Sequence, residues 1–399
     1  MKTKLEGDTL TMYLTGRIDA NNAGVLEAQF TENLMKYLNA TPILDAEGLE
    51  YISSAGLRVL LKIRKAFGKD IEIVNVSNEV YGIFEVTGFT ELLNVRKKLR
   101  EISVEGLEVI GGGSFSTVYR LDPETILKVY DKKPVTLAEV EHNRLSSREV
   151  FLHGVPTAIP FDTVKAGEDY GLVYEMIDAD TMSGILSKHP ERLEELSLKA
   201  ANLLKKLHTT EFEPGTFPDA RDIQHIRVDR AYGMDLISAD DKAIADGIID
   251  RIPYRNTFIH SDFHTGNLMV SGDDLILIDV GDSGLGKPIN DFLVSYTHFV
   301  EMGASMPDKV RAVHEKTIGL DHRTLAEVWK IIMREYFGTS DENTLKNYSD
   351  IMRVYASIMM LSVSTSVARR RSHEAGRELA GSYMLRLREA ADTLRTMWE

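Results

Sequence analysis

Along the first hundred residues the apolar positions switch between two periods. Leu10 to Gly16 follows the Gly7-Asp8 turn signal and reads as a strand. From Asn21 to Leu38 apolar side chains return every four residues, at Leu26, Phe30, Leu34 and Leu38, with Tyr37 on the same face, which predicts an amphipathic helix. Ile43-Leu44 opens a short strand, and Ala55 to Phe67 reads as a helix carrying Leu57, Leu60, Leu61 and Ile63. Ile71 to Val76 is a β-branched strand, and Val80 to Val86 a helix stopping near Gly88. Strands alternating with helices over this length predict a small α/β domain, residues 1–99.

The pattern restarts after the basic stretch Arg96-Lys97-Lys98-Leu99-Arg100, which reads as a solvated face beside a linker at 100–106. Leu107 to Ile110, a glycine cluster, Thr117 to Leu121 and Thr125 to Tyr130 predict a sheet of hairpins. A helix over Leu137 to Leu152 and a strand over Tyr170 to Met176 follow. From Arg192 onward the periodicity is helical, interrupted over Asn256 to Gly286. Leu325 to Tyr336, Leu345 to Arg369 and Leu379 to Met397 are the closing helices. A strand-rich lobe at about 107–177 and a helical lobe at about 178–399 are expected.

Composition narrows the function classes. Of 399 residues, 43% are hydrophobic and 27% charged, enough for sizeable cores. The chain has no cysteine, which excludes disulfides, thiolate metal sites and thiol nucleophiles. The most apolar stretch, Tyr355 to Val367, is broken by four serines and is shorter than the about 18 residues of a membrane span. The start, Met1-Lys2-Thr3-Lys4-Leu5-Glu6, lacks the apolar segment of a signal peptide, so a cytoplasmic setting is expected. The net charge of −14 argues against nucleic-acid and membrane partners. Residues 1–99 hold 12 basic against 13 acidic side chains and the remainder 35 against 48, so the acidity belongs to the second region.

Three segments carry candidate chemistry. Gly111-Gly112-Gly113-Ser114-Phe115-Ser116-Thr117-Val118 fits G-x-G-x-x-G-x-V with Ser116 for the third glycine. The missing side chains of Gly111 and Gly113 let backbone N–H groups, that of Ser114 among them, approach phosphate oxygens; a plain hairpin turn is the alternative. Lys128, flanked by apolar residues in a strand, is placed to grip those phosphates, with Glu141 of the next helix as its expected carboxylate partner and Glu139 and Glu149 as rivals. His260-Ser261-Asp262-Phe263-His264-Thr265-Gly266-Asn267 places an Asp and an Asn five apart, and Asp279 follows at a strand end. Phosphoryl transfer needs an acid to take the acceptor proton and oxygen ligands for Mg²⁺, roles that Asp262, Asn267 and Asp279 fit. A metal site on His260 and His264 is a second reading, but it leaves Asn267 and Asp279 unexplained.

Taken in this order, the segments resemble the aminoglycoside phosphotransferase and choline kinase group of the protein-kinase-like fold, whose motif is H-G-D-x-H-x-x-N. The resemblance implies an α+β two-lobed kinase fold, Asp262 as catalytic base, Asn267 and Asp279 as Mg²⁺ ligands, and Lys128 and Val118 at the ATP. It also implies a hinge at Tyr174-Glu175-Met176-Ile177, where the backbone of Glu175 and Ile177 would meet adenine. Pro288-Ile289-Asn290-Asp291 resembles a later family element in which Asp291 is structural; His208 is expected to make a structural hydrogen bond at a helix end.

Residues 1–99 resemble a STAS domain, the fold of bacterial anti-sigma-factor antagonists. The resemblance is carried by Leu14-Thr15-Gly16-Arg17-Ile18-Asp19, Tyr51-Ile52-Ser53-Ser54-Ala55-Gly56-Leu57, Val74-Asn75-Val76 and Phe84-Glu85-Val86-Thr87-Gly88-Phe89. It implies Ser54 as a phospho-acceptor at a helix N-terminus and a protein partner for this module; simple helix capping by Ser53 and Ser54 is the alternative. The expected function is an ATP- and Mg²⁺-dependent kinase acting on the hydroxyl of a small molecule. A protein kinase acting on a STAS serine and a non-catalytic nucleotide switch are the rival functions.

Overall fold

A computed structural model of the chain describes residues 1–68, 71–113, 116–132 and 134–391. It divides into two compact units, Met1–Ser103 and Val104–Glu399.

The first unit is a five-stranded mixed sheet with helices. Strands β1 (Lys2–Glu6), β2 (Thr9–Ile18), β3 (Thr41–Ile52), β4 (Glu72–Val76) and β5 (Asn94–Lys97) lie in sequence order. β1 is antiparallel to β2, and the other pairs are parallel. β2 buries Leu10, Met12 and Leu14, every second residue, as a strand against one core must. Helix α1 (Ala23–Lys36) buries Phe30 and Leu34 of the predicted stripe, whereas Leu38 falls beyond the helix and is exposed. β3 is much longer than the Ile43-Leu44 core suggests. Its register shifts against β2 between Tyr13 and Thr15, so the alternation that betrays a strand breaks near Gly48. β1 and β5 escaped notice because their side chains are largely exposed and polar. The basic stretch is solvated, as expected: Arg96 and Lys98 pair with Glu72 and Glu47 at 2.6 and 2.8 Å on the surface.

Helix α2 (Ser54–Phe67) is capped by Ser53, whose Oγ accepts from the Gly56 N–H at 3.4 Å, and ends at the left-handed Gly68. Helix α3 (Asn78–Val86) seals the core with Val80 and Phe84.

The second unit opens with β6 (Val109–Gly112), β7 (Thr117–Arg120) and β8 (Thr125–Val129), then helix α4 (Leu137–Leu152), β9 (Pro160–Ala166) and β10 (Asp169–Glu175). These five strands pair antiparallel in the order β9-β10-β8-β7-β6. Thr136 and Glu139 form a capping box at the start of α4.

Beyond Glu175 the chain is mostly helical. β11 (Asp180–Thr181), α5 (Met182–Lys188), α6 (Leu193–Leu207), α7 (Ala220–Gly233) and α8 (Ala239–Asp250) lead to four short strands. These are β12 (Phe258–Ile259), β13 (Leu268–Ser271), β14 (Asp274–Leu277) and β15 (Gly284–Leu285). β12 pairs with β15, and β13 with both β11 and β14. Helix α9 (Ile289–Tyr296), a π-helix over Thr297–Glu301 and helices α10 (Met302–Ser305), α11 (Asp308–Ile318), α12 (His322–Phe337), α13 (Glu342–Arg370) and α14 (His373–Ala390) complete it. The predicted closing helix at Leu379 starts earlier, and its predicted end at Met397 lies outside the described residues. One core runs through this lobe, with Phe258, Phe263, Phe292, Phe299 and Tyr355 fully buried. By length and composition α13 could cross a membrane, but half of its apolar window is buried inside this lobe.

One glycine decides the packing of the first unit. A Cβ on Gly56 would stand 2.6 Å from Ile18 Cγ2 and 2.8 Å from Ile52 Cγ1. Gly56→Ala gains about 1 kcal/mol of helix propensity but overpacks a core at a cost of about 1–3 kcal/mol. The expected result is a lower unfolding temperature for the first unit alone, measured by calorimetry. An unchanged or raised transition would show that α2 moves off the sheet without cost.

Candidate active site

The segment His260 to Asn267 spans the gap between β12 and β13, so its two ends belong to two different ribbons. A buried carboxylate holds its start. Asp291, on α9, accepts from His260 N at 3.0 Å and Ser261 N at 2.6 Å, and its Oδ2 is 3.1 Å from His208 Nε2. His208 Nδ1 lies 2.8 Å from Tyr336 Oη. Asp291 and His208 are both buried, and each acts structurally. Ser261 has φ +67°, a left-handed conformation that explains glycine in the related motif. The bond from Asp291 holds the serine in it. Phe263 points into the core, and Ser295 donates to its carbonyl at 3.0 Å.

Three of the predicted acidic-loop residues converge. Asn267 Nδ2 donates to the Asp262 carbonyl at 2.9 Å and to its Oδ2 at 3.0 Å. The Asn267 carbonyl accepts from Ile278 N at 3.0 Å, which ties the loop to the approach to Asp279. Asp279 has φ +64° and meets Lys128 Nζ through Oδ1 at 2.7 Å. The bond thus links β8 of the sheet to the helical lobe. Burial depresses the Lys128 pKa, but the Asp279 carboxylate, together with the Tyr130 and Tyr174 hydroxyls, more than reverses this, and the net shift is upward. Burial likewise pushes the Asp262 carboxyl up. His264 and His298, each with Nε2 3.6 Å from one of its oxygens, outweigh that and hold it well below its usual value.

Lys128 is not paired with Glu141. Glu141 bonds Arg144 at 3.0 Å on its own helix. The side of α4 that meets the sheet carries Asn143 and Ser147, bonded to the Tyr130 and Tyr174 hydroxyls at 3.2 and 3.3 Å. Two residues along a helix is about 200° of rotation, which takes Glu141 to another face than Asn143. Glu139 is committed to the cap, and His153 bonds the backbone carbonyl of Glu149 at 2.9 Å.

The glycine segment is the β6–β7 hairpin. Gly111 pairs with Val118, Gly113 N donates to the Ser116 carbonyl at 3.0 Å, and Lys132 Nζ reaches the Gly113 carbonyl at 2.8 Å. Ser114 lies outside the described residues. The glycine that geometry requires is Gly112, where a Cβ would sit 2.9 Å from the Ser116 carbonyl oxygen. At the expected hinge, Glu175 exchanges hydrogen bonds with Ile159, and Met176 N is engaged by the Glu124 carbonyl at 2.7 Å. Among the described residues no backbone partner takes the Ile177 N–H. In the first unit Ser53 supplies the cap, and Ser54 is the exposed first residue of α2.

The residues fit Mg²⁺. Asn267 spends its amide nitrogen on Asp262, which leaves its carbonyl oxygen, together with the Asp279 carboxylate, as hard oxygen donors. A metal on imidazoles fits less well. Asp262, His264 and His298 offer three atoms within 4.8 Å of one another. However, the Gly266 N–H donates to His264 Nδ1 at 3.0 Å, so the ring proton sits on Nε2, the atom a metal would need. His260 takes no part, since its Nε2 faces the Ile278 carbonyl. Two neighbours of Asp262 had no sequence signal. His298 is remote in sequence, and Arg227 lies on α7. Burial lowers the Arg227 guanidinium to about 10, so it remains a cation in the field of Asp262 and Asp282.

A model of the phosphotransferase enzyme family matches residues 106–326, and one of the STAS domain matches residues 1–102. BtrV of Bordetella bronchiseptica, assigned as an anti-sigma factor antagonist, is 33% identical over 95 residues, which are 23% of this chain and 80% of BtrV. Among solved structures, the ADP-bound aminoglycoside phosphotransferase APH(2'')-Ib is 17% identical, with a TM-score of 0.45, over 71% of this chain and 93% of its own. The GDP and kanamycin complex of APH(2'')-IIIa is 13% identical, with a TM-score of 0.45, over 77% and 98%. APH(3'')-Id from Streptomyces rimosus is 15% identical, with a TM-score of 0.40, over 72% and 99%. The predicted fold class is the observed one: a mixed α/β STAS domain, then a kinase-like α+β fold with a helical C-terminal lobe.

Asp291→Ala strips three buried donors of their acceptor, a change that costs about 3–5 kcal/mol where a buried pair is broken. The second unit should unfold at a clearly lower temperature, and turnover should vanish even where it stays folded. Calorimetry and a kinase assay check this; wild-type turnover would mean that the loop holds its shape without Asp291.

Proposed function

The chain belongs to the phosphotransferase enzyme family, and on that premise we propose that it moves the γ-phosphoryl group of Mg-ATP to a hydroxyl of a small molecule. The observation that carries this is the pairing across the site: Asn267 on Asp262, and Lys128 on Asp279. Asp262 accepts the proton of the acceptor hydroxyl, and its low pKa keeps it ionised for the task. Asn267 fixes the carboxylate's orientation. Lys128 holds the nucleotide phosphates, with the glycine hairpin in which Gly111 pairs with Val118 beside them. The backbone of Glu175 and Ile177 receives adenine. Asn267 and Asp279 hold Mg²⁺, which when bound neutralises phosphate charge. The 48 acidic against 35 basic side chains after residue 99 favour a cationic acceptor, and the lack of cysteine accords with a cytoplasmic setting.

Residues 1–102 are a STAS domain, and we assign it a docking or regulatory role toward a protein partner, with Ser54 as the phospho-acceptor. Exposure at the first position of α2 supports this, because unpaired N–H groups at a helix N-terminus stabilise a phosphate. Mass spectrometry of the protein isolated from its cells tests it; phosphate absent from Ser54 under all growth conditions would remove the assignment.

An ATP-consumption screen against amino alcohols, aminoglycosides, sugars and nucleosides identifies the acceptor class, with the acceptor-free control analysed for autophosphorylation. Asp262→Asn should lower turnover by at least about 10²-fold while nucleotide binding persists. Asp279→Ala should weaken Mg-ATP binding and raise the Mg²⁺ requirement. Near wild-type turnover in Asp262→Asn would remove Asp262 from the chemistry, and an unchanged Mg²⁺ dependence would remove Asp279.

A further inference from the structure

Asn143 of α4 faces two parts of the site at once. Its Nδ2 donates to the Tyr130 hydroxyl at 3.2 Å. Its side chain also lies against Gly281, where a Cβ would stand 3.0 Å from its Oδ1 and 3.1 Å from its Cγ. Tyr130 follows β8, and its N–H continues the ladder to the Tyr170 carbonyl at 3.0 Å. Tyr130 and Lys128 therefore share one face of the sheet, with Lys128 Nζ 5.7 Å from the centre of the Tyr130 ring. Gly281 is two residues beyond Asp279. One neutral amide thus reaches from the neighbour of the lysine to the neighbour of the acid, beside their 2.7 Å ion pair.

The contact is built into the fold. Val140, Asn143, Ser147 and Val150 recur along α4 at helical spacing, and Val140, Ser147 and Val150 are buried. A polar side chain in such a stripe needs a partner, and Asn143 has the tyrosine. The Tyr130 ring packs with Val140 and Leu172, which fixes where its hydroxyl stands. Burial raises the pKa of that hydroxyl although the Lys128 charge and the Asn143 bond oppose it, so it is a neutral phenol. Glycine at 281 leaves the room that the amide occupies. A carboxylate in place of Asn143 would stand against a turn that carries Asp279 and Asp282; an amide bonds the tyrosine without adding a third like charge.

We propose that Asn143 and Tyr130 are positioning residues, a neutral brace that sets the separation of Lys128 and Asp279 once a nucleotide has parted them. The inference rests on Lys128 serving the phosphates and Asp279 the metal. In the resting protein the ion pair itself ties β8 to the turn at Asp279. That tie is lost when each charge turns to a ligand, whereas the contacts of Asn143 with Tyr130 and Gly281 involve no charge and persist. The brace therefore matters most when both halves of the site are in use. A nucleotide alone needs only Lys128; a nucleotide with Mg²⁺ needs Lys128 and Asp279 at one fixed separation. The brace contributes to the gain in nucleotide affinity that Mg²⁺ brings, which is a coupling between two ligands, and little to binding of the nucleotide alone.

Calorimetry of ADP binding to the full chain, with and without MgCl2, tests this and needs neither turnover nor an acceptor. Tyr130→Phe keeps the ring and removes the hydroxyl; Asn143→Ala removes both contacts. Each is expected to weaken ADP binding in Mg²⁺ about fivefold, the worth of one hydrogen bond, and to leave binding without Mg²⁺ within about twofold. The two changes together should cost no more than Asn143→Ala alone, because they break the same bond. Gly281→Ala should weaken Mg-ADP binding by crowding Asn143, and should have no further effect where residue 143 is already alanine. Ser147→Ala removes a hydroxyl bonded to Tyr174 one turn along the same helix and should leave the effect of Mg²⁺ unchanged. Equal weakening with and without Mg²⁺, or an effect of Gly281→Ala that ignores residue 143, would overturn the brace. So would a matching loss of the Mg²⁺ effect in Ser147→Ala, since α4 would then act only by its general docking. Lower thermal stability with wild-type affinity in Tyr130→Phe and Asn143→Ala would also overturn it, because the contacts would then only pack the helix. Wild-type Mg-ADP binding in Lys128→Ala and Asp279→Ala would instead bring down the nucleotide and metal assignment beneath it.

Discussion

A single buried carboxylate organises the phosphotransferase unit. Asp291 has no contact with solvent, and its two oxygens serve His260 N–H, Ser261 N–H and the imidazole of His208. A buried charge is tolerated only when its lone pairs are filled, so the three donors are not interchangeable decoration. They come from a helix end and from the turn just before Asp262. With both oxygens of the buried Asp291 engaged by these donors, the turn is held from behind. Ser261 then takes a left-handed conformation that a residue with a Cβ adopts reluctantly. The strain sits one residue from the proposed base, as expected where surrounding bonds over-determine a functional loop.

From that anchor the remaining geometry follows by short links. The loop is pinned behind by Asp291 and ahead by Asn267, whose carbonyl takes the Ile278 N–H. Asp279 is therefore placed relative to Asp262 by backbone bonds, before any metal or nucleotide is considered. Lys128 crosses from the sheet to Asp279, so each charge finds a counter-charge in the resting protein. In the proposed reaction a nucleotide carrying Mg²⁺ would take the place of both partners, with Lys128 toward its phosphates and Asp279 toward its metal. The resting ion pair thus joins the two side chains that the proposed function assigns to the nucleotide and its metal.

The chemistry was legible where it is compressed in sequence. His260 to Asn267 holds the proposed base and a proposed ligand within eight residues, and Asp279 follows closely, so spacing alone grouped them as candidates. The fold class was legible because the helical and strand periods change cleanly between segments. What failed to show depends on distance or on an exposed face. Glu141 looked right as the partner of Lys128 because it carries the right charge on the right helix, but periodicity on a helix with a weak apolar stripe does not say which face meets the sheet. Gly112 was passed over for its neighbours because three consecutive glycines look alike in sequence; only the approach of the Ser116 carbonyl distinguishes it. β3 was seen only at its start, since a bulge erases the alternation by which strands are recognised.

His298 and Arg227 belong to the same class of hidden residue, and they change the electrostatics of the loop. Neither is near Asp262 in sequence, yet each contributes to its field. Burial pushes the Asp262 carboxyl up, and His298 joins His264 in outweighing it, which keeps the carboxylate ionised. The helices that supply Arg227 and His298, α7 and the π-helical turn after α9, pack in the same core as Phe263, the residue following Asp262. Core packing thus bears not only on where the loop sits but on which charge state its aspartate adopts, so the helical lobe sets the electrostatics of the proposed base.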